Sequence, residues 1–217
     1  MASPTTITAI TADPKEPDMR RITSNRTIIA RIRHGDVDRM GLRVGLPIDA
    51  SMVATLDRCA QHAALRLRAI RSLSRAAASR QRLRERLSPH AANASQLEIV
   101  LDELIAEGIL DDTATATRIA AETLRGGPIG SRGLAAKLQR RGFAATLVDH
   151  IVAEQLGSRD ECADALEAAK TAMASLATLP PDTVTRRLAA RLARKGFSSD
   201  AIIHAVQGVG CGPPHLD

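Results

Sequence analysis

Residues 134–152, LAAKLQRRGFAATLVDHIV, recur without a gap 54 positions further on as residues 188–206, LAARLARKGFSSDAIIHAV. Self-similarity at a period of about 50 restricts a chain to architectures in which one helical unit is stacked on the next. Leu134 pairs with Leu188, Leu138 with Leu192, Gly142 with Gly196, Phe143 with Phe197 and His150 with His204.

The unit is readable from its own residues. Leu134 and Leu138 are four apart and share one helix face. Gly142 stands where a helix takes a left-handed residue after its last turn. Phe143 follows, where a side chain folds back onto that turn, here onto Leu138. Arg140 and Arg141 fall in the last turn, where the helix dipole favours cations. A second helix starts near Ala144 and carries Leu147, Val148, Ile151 and Val152 inward. The copy repeats each device, with Ser198 or Ser199 as N-cap. The unit is therefore a helix, a glycine turn and a second helix.

The same grammar extends over most of the chain. Residues 52–73 hold one long helical pattern, led in by Asp49 or Ser51 as cap. A shorter helix follows over residues 79–87, where Leu83 and Leu87 repeat the spacing of Leu134 and Leu138. Pro89 ends it where the later copies use glycine. Leu97, Val100, Leu101, Leu104 and Ile105 mark the next helix, and Gly108 terminates it. Three modules result, over residues 58–109, 110–157 and 158–209. Each has a long leading helix (60–73, 112–124, 160–176), a short middle one and a closing one. Residues 126–128 and 179–181 are the breakers between first and second helices.

The ends read differently. Residues 1–24 are rich in Thr, Pro and charge without periodicity and are expected to be a disordered tail. Residues 25–57 form an extension: a β-branched run over 27–32, a turn at His34-Gly35-Asp36, a second short strand over 37–44, then the start of the long helix. Residues 210–217 are a second tail. The expected fold is all-α, an elongated tandem array of three three-helix modules preceded by a short β-hairpin-like segment. Composition agrees: the chain is 44% hydrophobic but has no Trp or Tyr and two Phe, so its core is Ala, Leu, Ile and Val, which favours close-packed helices.

Charge segregates with the repeat. Residues 58–86 carry nine Arg against one acid, residues 87–124 seven acids against one base, and the middle helix of each module is basic. Residues 125–145 carry Arg125, Arg132, Lys137, Arg140 and Arg141 and no acid; residues 185–197 carry Arg186, Arg187, Arg191, Arg194 and Lys195 and no acid. One reading is that acidic and basic helices pack side by side and neutralise one another. The other is a row of basic ridges that meets an anionic groove or a nucleic-acid backbone, and the net charge of +6 favours an anionic partner.

Enzyme chemistry finds little support. His34, His62, His90, His150, His204 and His215 are scattered, and the repeat-equivalent His150 and His204 fit a packing or interhelix role. Asp111 and Asp112 open a helix and read as a cap pair. Residues 126–130 lack the Lys-Ser/Thr of a phosphate-binding loop. Cys59, Cys162 and Cys211 form neither a disulfide framework nor a CxxC metal spacing, which fits a reducing compartment. With no membrane-spanning run and no signal-peptide core, a cytoplasmic location is expected, with no cofactor, no metal and no small-molecule substrate.

The middle helices, LAAKLQRRGF at 134–143 and LAARLARKGF at 188–197, resemble those of the RecX family of recombinase regulators. So do SRQRLRERL at 79–87, LDELIAEGILDD at 101–112 and RVGLPID at 43–49. The resemblance covers residues 40–209. The aromatic expected after Asp111-Asp112 is replaced by residues 113–116, and the first middle helix ends in Ser88-Pro89-His90. The resemblance implies a non-catalytic regulator of homologous recombination and DNA repair, within the SOS response. Such a protein binds the groove of the RecA filament on single-stranded DNA and inhibits filament growth, ATP hydrolysis and strand exchange. Carried over, the contacts are Arg80, Arg82, Arg84 and Arg86, then Lys137, Arg140 and Arg141, then Arg191, Arg194 and Lys195.

The alternative is a helical-repeat DNA-binding module that meets phosphates through the same helices. The near-absence of aromatics removes the stacking platform used on single strands. Weak, salt-sensitive DNA binding is compatible with filament binding. A helical scaffold for another protein is the third reading.

Overall fold

The computed structural model describes residues 6–176 and 178–210. The order is β1 (Ala9–Ala12), β2 (Met19–Ser24), β3 (Thr27–Arg33), α1 (His34–Arg39), α2 (Ala50–Arg75), α3 (Arg80–Leu87), α4 (Ala94–Ala106), α5 (Asp112–Arg125), α6 (Ser131–Arg140), α7 (Ala145–Leu156), α8 (Glu161–Met173), α9 (Pro181–Arg194) and α10 (Ser199–Gly208). The fold is mostly helical with a small sheet. It divides into two compact units, one of residues 1–77 and 83–110, the other of residues 78–82 and 111–217.

In the first unit the strands form an antiparallel sheet in the order β1-β2-β3. Residues 9–24, expected to be a tail, are therefore strand and connection. Ile22 is fully buried with Ile7, Ala30 and Ile32 against Leu56 of α2, and that apolar set outweighs the polar composition of the segment. Asn25 and Arg26 join β2 to β3 with positive φ (49° and 64°), the conformation of a two-residue primed hairpin turn. The side chain of Asp13 accepts from the Lys15 backbone N–H at 2.9 Å and from Arg21 Nε at 2.9 Å, and it also pairs with Arg31. These bonds, the backbone one foremost, hold its carboxyl down at about 2.

The second strand expected over 37–44 is not formed. Helix α1 occupies its first half, because Val37 and Met40 are three apart and both face the sheet's core, a helical spacing and not a period of two. Helix α2 starts at Ala50, capped by the Asp49 carboxylate accepting from the Met52 N–H at 2.7 Å. Its later turns bury Leu65 and Ala69 against Leu83, Leu87 and the apolar face of α4. Pro89 lies in a 3-10 turn, Ser88–His90, that closes α3.

In the second unit, α5, α6 and α7 share one core (Ile119, Leu134, Leu138, Phe143, Val148, Ile151). Helices α8, α9 and α10 share another, rich in alanine (Ala165, Ala169, Leu188, Leu192, Phe197, Ala205). The leading helix of this last set ends at Met173, short of the expected 176. The tail at 211–217, with Cys211 and His215, lies outside the described residues. His150 and His204 are both exposed, so neither packs between helices as expected.

Candidate functional site

Both glycine turns form as the spacing predicts. Gly142 (φ 82°) donates to Gln139 O, and Phe143 N–H reaches Leu138 O at 3.4 Å; Gly196 (φ 80°) donates to Ala193 O, and Phe197 N–H reaches Leu192 O at 3.4 Å. These are paired six-to-one and five-to-two closures of a helix C-terminus. They expose the last carbonyls of α6 and α9, and something else in the second unit uses those carbonyls.

At the Gly142 turn the user is the segment 78–82, the start of α3. The Ser79 hydroxyl, on a residue only 1% exposed, donates to Arg141 O at 2.8 Å and accepts from the Arg82 backbone N–H at 3.2 Å. The Arg82 guanidinium donates to Arg140 O at 2.7 Å. At the Gly196 turn the user is the start of α6. Gly130 N–H donates to Lys195 O at 3.0 Å, and the Lys195 ammonium donates to Pro128 O at 2.9 Å. The N-terminal end of one basic helix thus sits on the C-terminal end of the next, twice. Orphan donors meet orphan acceptors, and the helix dipoles run head to tail.

Asp112 completes the first of these joints. Its carboxylate accepts from the Arg80 backbone N–H at 2.8 Å. Burial raises its pKa above the usual carboxylate value, against the opposing pull of Arg80. Asp111 is the cap of α5 as expected, accepting from the Ala114 N–H at 2.9 Å. The sequence reading missed Ser79, Gly130 and Gly133 as joint residues. A side chain at Gly133 would overlap the Lys195 carbonyl, and one at Gly196 would overlap the Gly133 backbone. A glycine inside an otherwise helical pattern was the available signal.

The ten cations named from the sequence fall into distinct settings. Arg80 and Arg82 belong to the second unit, at its first joint; Arg84 and Arg86 belong to the first unit. Arg84 is held by Glu98, with Nε to Oε1 at 2.7 Å and Nη2 to Oε2 at 2.8 Å, so it neutralises a neighbouring helix. Arg86 reaches the Ser72 hydroxyl at 3.4 Å. Lys137, Arg140 and Arg141 on α6 and Arg191, Arg194 and Lys195 on α9 hold equivalent repeat positions. Among the described residues none of these six has a carboxylate within ion-pair distance. Arg140, Arg141, Arg191 and Arg194 are exposed, as are the equivalent Arg132 and Arg186. Mutual neutralisation thus accounts for Arg84 but not for the cations of α6 and α9.

Among the described residues no cluster of His, Cys, Asp and Glu is arranged to hold a metal ion, and no helix is long and apolar enough to cross a membrane. The fold defines a mostly helical protein of repeated helical triplets with a small N-terminal sheet, and α6 and α9 carry exposed arginines. Comparison with known proteins gives the same class. The chain is 32% identical over 150 residues to the regulatory protein RecX of Chromobacterium violaceum, covering 69% of this chain and 93% of that one. It is 30% identical over 121 residues to the regulatory protein RecX of Trichlorobacter lovleyi, covering 55% and 79%. A crystal structure of a regulatory protein RecX superposes with a TM-score of 0.75 at 17% identity, covering 94% of this chain and 99% of that one. RecX from Lactobacillus salivarius gives 0.57 at 14% identity, covering 69% and 97%. No protein-family model matches. The chain belongs to the RecX family of regulatory proteins.

Proposed function

We propose that this chain is a non-catalytic regulator of homologous recombination that binds the groove of a RecA-type recombinase filament on single-stranded DNA. In this reading it inhibits filament growth, ATP hydrolysis and strand exchange. Each helical triplet (58–109, 110–157, 158–209) is one module, and the basic middle helices are the contact ridges. One observation carries the reading: Arg140 and Arg141 at the end of α6 and Arg191 and Arg194 on α9 are exposed and have no carboxylate partner among the described residues. Cations left uncompensated on a rigid helix are available to an anionic surface. The family membership supports the same reading.

The test is a titration into a single-stranded-DNA-dependent ATPase assay of the host's recombinase. Loss of hydrolysis at substoichiometric protein, with free DNA not competing, is expected. Arg140→Glu, Arg141→Glu and Arg194→Glu combined should abolish the inhibition, and these exposed positions leave the joints intact. Unchanged inhibition by the folded triple variant would reject the assignment. No effect on hydrolysis, with tight DNA binding that falls steeply with salt, would replace it with a nucleic-acid-binding module.

A further inference from the structure

The first unit carries a groove that shares only Arg86 with the contact ridges of the proposed function. It measures about 820 Å³ and runs between β3 and α2. Its floor is aliphatic: Ile29, Ala60, Ala64 and Leu67 line it, and Ile28 stands at the lip with 48% of its surface exposed. Its rim is cationic, formed by Arg31, Arg68, Arg71, Arg75 and Arg86.

The rim is only partly neutralised. Arg31 pairs with Asp13 and Arg71 with Glu16, and both acids come from the connection between β1 and β2. Two of the groove's guanidinia thus already take carboxylates of the chain itself. Of the others, Arg68 approaches the His90 ring at 3.3 Å and Arg86 the Ser72 hydroxyl at 3.4 Å. Among the described residues Arg68, Arg75 and Arg86 have no carboxylate partner. Strand β3 is moreover an edge of the sheet, and an edge beside an open groove accepts an added extended segment.

We propose that this groove binds an acidic, aliphatic-bearing peptide segment of a protein partner, laid in extended form along β3. Alternate residues of a strand point to opposite sides, so one set supplies carboxylates to the arginine rim and the other covers Ile28 and Leu67. A nucleic-acid strand fits less well. None of the lining residues is aromatic, so bases would find no stacking surface, and aliphatic floor area would stay wet. The proposal does not rest on the recombinase reading: the cations that carry that reading are on α6 and α9 in the second unit, the groove shares only Arg86 with the proposed contact ridges, and the readout is different.

The test is fluorescence anisotropy of a labelled peptide of alternating Glu and Val, matched to the 7 residues of β3, titrated with the full chain. Binding is expected, with none for the Lys-Val counterpart, and oligo-dT should not displace it. Arg68→Glu and Arg75→Glu should each weaken it by about tenfold or more, as for loss of a charge-assisted bond plus like-charge repulsion. Ile28→Asp should weaken it comparably. Unfolding curves check each variant, and Arg→Gln at the same position replaces any that is destabilised. Absence of peptide binding, or binding unchanged in the folded variants, would overturn the proposal. So would displacement by oligo-dT with the same arginine dependence, which would give the groove to nucleic acid.

Discussion

Glycine serves two purposes here, and substitution separates them. Gly108 has φ 69° and open space where a side chain would stand. Gly108→Ala should therefore cost only the left-handed strain, about 1 kcal/mol. Gly196 has φ 80° and also lies against the backbone of Gly133. Gly196→Ala adds overpacking to strain, about 3 kcal/mol together. Denaturant unfolding of the two variants side by side checks the difference; equal losses would mean that the Gly133 contact has no energetic weight. Gly142 is intermediate, with the Ser79 hydroxyl at 2.9 Å from the position of an added Cβ.

Among the elements, the joint between successive basic helices is the feature most exposed to test. Ser79 both caps its own helix and saturates the last carbonyl of α6. Ser79→Ala removes a cap and leaves a part-buried acceptor without its donor, about 2 kcal/mol in sum. Ser79→Thr keeps the hydroxyl and should recover most of it, as measured by urea unfolding. Sequence alone made the helices legible, because Leu134, Leu138, Leu188 and Leu192 sit at helical spacing and Gly142 and Gly196 end each pattern unambiguously. It did not make the joint legible. Ser79 contacts residue 141, and Gly130 contacts residue 195, and such distant pairings leave no local period. Of the sheet, β3 was legible as the β-branched run over 27–32, whereas β1 and β2 were missed for a related reason. Its turn is Asn25-Arg26 in place of Asn-Gly, and its first strand is too short to show alternation. Of the candidate site, the cations of α6 and α9 were legible as a repeated tract, whereas the pairing of Arg84 with Glu98 required the structure.

For the whole molecule, the two units answer to different variables. Asp13, with its carboxyl held at about 2 against an ordinary 3.8, ties β1 to Arg21 and Arg31 in the first unit. A depressed carboxyl contributes stability that is complete above its ordinary value and is lost as pH falls through the folded one. Protection from amide exchange at Ile22 and Ile32 should thus decline between about pH 4 and pH 2, with Asp13→Asn removing the pH dependence. Gly196→Ala should instead lower protection at Leu188 and Val206 at neutral pH. If acid loosened both sets equally, with or without Asp13, the carboxylate would not be the cause.

Helix α9 begins at Pro181, whereas the repeat-equivalent start of α6 would place it at Thr185. The extra turn puts Val184 where α6 has its Gly130 cap, and Arg187 where α6 has Gly133. Val184 is committed to its own core, and neither residue leaves room for the close backbone approach that Gly130 and Gly133 allow. The connector is therefore directional, with a plug at the start of the first and second middle helices and a socket at the end of the second and third, and on the third module the plug is blunted. Joining a further module to this plug would require glycines at 184 and 187 first, so the number of modules joined in this way is written into two side chains.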